Sequence, residues 1–161
     1  MRLAEFNALM PEAAGELLRP CADIPAWIDE IVAGRPYGDL GELIGIADVA
    51  AEGWSDAEVD AALAQHPRIG ERADGAGAEA QMSRNEQSSV SGLDEEIAAG
   101  NRAYEAKFGR IFLIRAAGRS ATEVLDQLTT RLGHDAETEN AVVAQQLREI
   151  AVLRLEGMLT A

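Results

Sequence analysis

The sequence predicts an all-α fold, a single-domain compact bundle of about eight helices, and three observations carry that prediction. Apolar residues recur at helical spacing along nearly the whole chain. Prolines, glycines and capping signals cut this pattern into short segments. Only residues 111 to 117 have the apolar continuity of a strand, and no convincing second strand exists to pair with them. The 161 residues, 47% of them apolar, suffice for one domain with a real core and are too few for two ordinary ones. Residues 1–161 are therefore read as one domain.

In chain order, Phe6, Leu9, Met10, Ala13 and Leu17 predict a first helix ended by Pro20. Pro25 opens a second, with Trp27, Ile28, Ile31 and Val32 on it, and Gly34 and Pro36 stop it. Leu40, Leu43, Ile44 and Ala47 mark a third. Ser55 to Glu58 form a capping box that opens the next helix, through Val59, Ala62 and Leu63. Proline disfavours helical geometry at the residue before it, so His66 before Pro67 is placed at a helix end.

Residues 71 to 80, rich in alanine and glycine, read as a mobile connection or a frayed helix. A helix through Met82, Asn85 and Glu86 follows. Leu93, Ile97, Asn101, Tyr104 and Phe108 line a long helix ending at Gly109. Residues 111 to 117 are a buried helical or extended segment. Ser120 to Glu123 are a second capping box, opening a helix with Val124, Leu125, Leu128 and Leu132 that Gly133 closes. Asp135 then caps a final helix from about Glu137 to Leu159.

The 28 acidic and 14 basic residues give a net charge of −14, which argues against nucleic acid and anionic membranes as partners. A small anionic substrate stays possible, since a few local cations suffice for one. The one cysteine, Cys21, permits no intrachain disulfide and reads as a small buried apolar residue. There is no secretory signal pattern, membrane-length apolar run or peroxisomal address, so a cytoplasmic protein is expected. No HExxH pair, phosphate-binding glycine loop or GxSxG elbow occurs, which favours chemistry run by ordinary protein groups.

His66 is one of two histidines. Histidine titrates near neutrality and is the usual proton carrier. A lone histidine is also often structural. The other, His134, lies in a helix-to-helix turn and reads as a solvated loop residue. On a helix, Ser83, Glu86 and Gln87 share one face and would offer a hydroxyl, a carboxylate and an amide to one ligand. The same residues also fit a helix start capped by Ser83, with Glu86 as its capping-box partner. Arg154 falls in the apolar stripe of Leu147, Ile150, Ala151 and Met158, where a guanidinium needs a partner. That partner is either structural or a substrate carboxylate held by the fork.

Taken in order, one set of residues resembles the 2-oxo-4-hydroxy-4-carboxy-5-ureidoimidazoline (OHCU) decarboxylase family. It runs from Phe6-Asn7, Trp27 and Arg35-Pro36-Tyr37 through Trp54 to His66-Pro67-Arg68-Ile69-Gly70. Ser83-x-x-Glu86-Gln87, Asn101-x-x-Tyr104-Glu105-x-Lys107-Phe108-Gly109, Phe112 to Ala116 and Gly118-Arg119-Ser120 follow. Arg131-Leu132 and Arg154-Leu155 complete it. No single motif decides the match; the order and spacing together are specific. Departures are small: His134 stands where asparagine or a similar turn residue is expected, and the 71–80 stretch differs.

The resemblance implies an all-helical homodimer with no metal or organic cofactor, converting OHCU to (S)-allantoin and carbon dioxide in urate breakdown. It implies a catalytic role for His66, and Glu86 is expected to join it by orienting His66 or hydrogen-bonding the hydroxyl and ureido groups of the substrate. Substrate contacts map to Pro67, Ser83, Arg84, Gln87, Phe112, Ile114, Ala116 and Arg154; a mechanism consistent with these residues has backbone amides of residues 112–116 binding ring carbonyls. The competing reading is a non-enzymatic acidic helical interaction module, and another is hydrolysis of a related ureide. Carbon dioxide release and the chirality of the product discriminate among the three.

Overall fold

The computed structural model describes residues 1–64, 66–70, 77–87 and 92–161. Among the described residues the fold is all-α, with nine helices and no strand. They are α1 (Leu3–Ala8), α2 (Pro11–Leu18), α3 (Pro25–Ala33), α4 (Leu40–Ala51), α5 (Asp56–Leu63), α6 (Ala78–Glu86), α7 (Asp94–Phe108), α8 (Ala121–Leu132) and α9 (Ala136–Met158). The chain groups into two compact units: residues 1–62 with 148–161, and residues 63–147.

One expected helix is two. Pro11 sits in the first turn of α2 and forces Met10 to ψ 147°, out of helical geometry, so the segment from Phe6 to Leu17 breaks there. The other boundaries follow the local chemistry. Pro25 opens α3. Ser55 and Glu58 exchange hydrogen bonds of 3.0 and 3.1 Å at the start of α5. Ser120 accepts from the Glu123 amide ahead of α8, and Asp135 from the Thr138 amide ahead of α9. Gly109 ends α7 with φ +72°, a left-handed turn that suits glycine.

In the first unit, α2 packs on α3 and α3 on α4. Phe6, Leu18, Trp27, Ile31 and Leu43 are buried there, and the Trp27 indole donates to the Ala47 carbonyl at 2.8 Å. Several residues of the sequence resemblance have structural work in this unit. Asn7 and Tyr37 exchange hydrogen bonds through the Asn7 side chain and the Tyr37 backbone. Arg35 donates to the carbonyls of Phe6, Leu9 and Val32. Cys21 is buried, as expected, with its thiol 3.7 Å from the Met158 sulfur. Residues 1–3 and 158–160 are stitched by backbone hydrogen bonds, including Leu3 N–H to the Thr160 carbonyl at 2.8 Å.

In the second unit, α7 packs on α8 around a cluster of Ile69, Ile97, Tyr104, Phe112, Ile114, Ala116, Val124 and Leu128. Residues 111–116 form neither helix nor strand, which excludes the helical alternative. Of the stretch 71–80, residues 71–76 lie outside the described residues, and Ala78 begins α6.

Candidate active site

His66 stands just past the C-terminus of α5, with its amide donating to the Leu63 carbonyl at 3.0 Å. His66 and Pro67 are half-buried. The three residues that follow are each held by a side chain from another element. Arg68 pairs with Glu105 of α7. The Ile69 carbonyl accepts from Asn101 Nδ2, also on α7, at 2.8 Å. The Gly70 amide donates to Gln87 Oε1 at 3.1 Å. That last bond ties the loop carrying His66 to the end of the helix carrying Glu86.

Glu86 is the last residue of α6 and is half-buried, and Gln87 is its C-cap. Ser83 is not a helix cap: α6 begins at Ala78, so the capping-box reading of Ser83 and Glu86 fails. Ser83 is buried instead, and its hydroxyl donates to Glu79 Oε1 at 2.9 Å. Arg84 donates to Gln81 Oε1 at 2.9 Å along the same helix.

Phe112, Ile114 and Ala116 are buried in the core that also holds Ile69, so the loop and the segment 112–116 share one packing surface. A contact from these three to a ligand therefore falls to their backbone. The amide of Arg115, between them, donates to Gln146 Oε1 at 2.9 Å, which removes it from the donors expected of this stretch.

Arg154 belongs to the other unit. It is buried at 4% exposure, as its place in the apolar stripe requires, and donates to the Pro20 carbonyl at 2.8 Å.

Sequence reading missed a buried polar network in the second unit. Glu139 is fully buried and accepts from Arg131 Nε and Nη2 at 2.8 and 2.6 Å and from the Tyr104 hydroxyl at 2.6 Å. His134 Nδ1 lies 3.0 Å from its other oxygen, so His134 is a partner of this carboxylate rather than a solvated loop residue. Burial pushes the Glu139 carboxyl up, but the Arg131 and Tyr104 hydrogen bonds outweigh it and hold the group below its ordinary value. Burial, and then the bond to Glu139, push Tyr104 up to about 12. Arg131 also donates to the Leu113 carbonyl at 2.6 Å and lies 4.4 Å from the centre of the Phe112 ring. The network thus holds the backbone of the segment 112–116 at Leu113. A signal was available: Val124, Leu128 and Arg131 share one face of α8, the same anomaly that singles out Arg154.

The described residues define an all-α protein in which the loop after His66 is bonded to the end of α6 and shares a core with residues 112–116. The family model for OHCU decarboxylase matches residues 7–156, and the chain belongs to that family. Among curated proteins, it is 25% identical to the uric acid degradation bifunctional protein of Bacillus sp. (strain TB-90), over 97% of this chain. The chain spans about a third of that relative's length (32%). A crystal structure of OHCU decarboxylase in the presence of (S)-allantoin superposes with a TM-score of 0.74 at 23% identity, covering 89% of this chain and 96% of that one. A crystal structure of (S)-allantoin synthase gives 0.71 at 18% identity, covering 99% of this chain and 54% of that one. These two likenesses establish the shared fold.

Proposed function

We propose that this chain decarboxylates OHCU to (S)-allantoin in urate breakdown, with His66 and Glu86 as its catalytic pair. Family membership supports the reaction. The observation that carries the site is the Gly70–Gln87 hydrogen bond, which couples the imidazole-bearing loop to the carboxylate-bearing helix end.

The substrate carbon that loses carbon dioxide also carries a hydroxyl and neighbours a ring imine. The electron pair of the breaking bond passes into that imine. The hydroxyl gives up its proton as a carbonyl forms, and a new C–H bond forms at the ureido-bearing carbon. The substrate is its own electron sink, so no cofactor is invoked. His66 exchanges the proton at the hydroxyl as general base or acid. Glu86 orients the imidazole or binds the hydroxyl and ureido groups.

Pro67 shapes the wall beside the imidazole. Ser83, Arg84 and Gln87 line the ureido side, and the backbone at Phe112, Ile114 and Ala116 meets the ring carbonyls. Arg154 is assigned to the substrate's anionic edge from the resemblance alone. The same reading has residues 1–161 working as one domain, in a cytoplasmic homodimer.

The test supplies freshly generated OHCU and follows carbon dioxide release and the chirality of the allantoin formed. Stereospecific product is expected from the native chain. His66→Asn is expected to lower kcat by about 10²-fold or more. Racemic product at the uncatalysed rate would favour the interaction module, and turnover without carbon dioxide would favour a hydrolase.

A further inference from the structure

We propose that Asn101 is a positioning residue for His66, acting through the backbone of residues 68–70. The inference rests on the catalytic role given to His66 above.

Asn101 lies on the face of α7 that carries Ile97 and Tyr104, both fully buried, and is itself only 6% exposed. Its Nδ2 holds the Ile69 carbonyl at 2.8 Å. Its Oδ1 is buried with no hydrogen-bond partner among the described residues. What asparagine offers here is the bond to the Ile69 carbonyl, a tie to the loop rather than to the apolar packing of α7. Asn101 sits one turn before Glu105, which pairs with Arg68, so α7 grips two successive loop residues from one face. The next residue, Gly70, adopts φ +87°, and Gln87 holds its amide. His66 has its own amide bonded back to Leu63. These fixed points bracket His66 and set the backbone from which its imidazole projects. Misplacement of a catalytic group by about 1 Å can cost on the order of 10²-fold in rate.

The chain has two histidines, so the imidazole resonances of histidine-labelled protein report His66 directly, with His134 as internal control. The His66→Asn variant assigns the two signals. Asn101→Leu removes the donor and the orphaned acceptor together and keeps the side-chain size. It leaves the Ile69 carbonyl without that donor, so some loss of stability accompanies it, and it is expected to lose about tenfold or more in kcat with KM within about twofold, and to displace the His66 resonance but not that of His134. Glu105→Gln, at a partly exposed side chain, should show a weaker form of the same pattern and carries the test should Asn101→Leu not fold. Native kcat in these variants, or equal displacement of both histidine signals, would overturn the proposal. Full stereospecific turnover by His66→Asn would overturn the functional reading itself, whatever Asn101 does.

Discussion

Replacing Arg131 with methionine should be among the most damaging single changes in the second unit. The guanidinium makes two charged hydrogen bonds to Glu139 and one to the Leu113 carbonyl, and it lies over the Phe112 ring. Methionine fills much of the same volume but leaves Glu139 fully buried with only the Tyr104 hydroxyl and His134 beside it. Breaking a buried ion pair on one side costs about 3–5 kcal/mol. For a chain of this size that lowers Tm by roughly 6–20 °C. Urea unfolding followed by far-ultraviolet circular dichroism measures the loss. The double variant Arg131→Met with Glu139→Leu supplies the control, because removing both charges should recover most of it. A single-variant loss below about 1 kcal/mol, or a double variant no better than the single, would refute the network as the clamp on the segment 112–116.

Gly100→Ala sets helix propensity against packing. Alanine gains about 1 kcal/mol within a helix. Its Cβ, however, would stand 2.2 Å from Leu128 Cδ2 and 2.9 Å from Cγ, and Leu128 is fully buried. Overpacking costs about 1–3 kcal/mol, so a net loss of ~1 kcal/mol or more is expected, and higher stability in urea would show that α7 and α8 do not meet so closely. At alkaline pH, Tyr104 should impose a limit. An unfolded tyrosine ionises near 10, while the folded group does so at about 12. Between those values the unfolded chain binds fewer protons, so stability falls as pH rises, by on the order of 3 kcal/mol. Tyr104→Phe should abolish that alkaline slope in a Tm-against-pH series; an unchanged slope would place its origin elsewhere.

Local signals were the legible part of the fold. Pro25, the Ser55–Glu58 box, Ser120, Asp135 and Gly109 each fix a boundary through chemistry within a few residues, and the structure keeps them all. Pro11 acted by the same local rule, but the apolar stripe running across it masked the break. What stayed hidden was pairing at long range. Nothing within a few residues of Glu139 indicates that Arg131, Tyr104 and His134 will converge on it. Gln87 suggested a ligand contact, yet its carbonyl oxygen reaches back 17 residues to Gly70. The order of the site motifs was readable, whereas the side chains that hold them still depend on tertiary contacts.

The way the units divide the sequence bears on synthesis. Residues 63–147 form one uninterrupted stretch, so that unit has its own contacts as soon as it leaves the ribosome. The unit begun by residues 1–62 is completed only by residues 148–161, whose Arg148 pairs with Asp48 and whose Arg154 meets Pro20. Its first half therefore waits, without the partners of Asp48 and Pro20, while the intervening 85 residues are made. A nascent chain of this design has most need of chaperone shelter at its amino-terminal end.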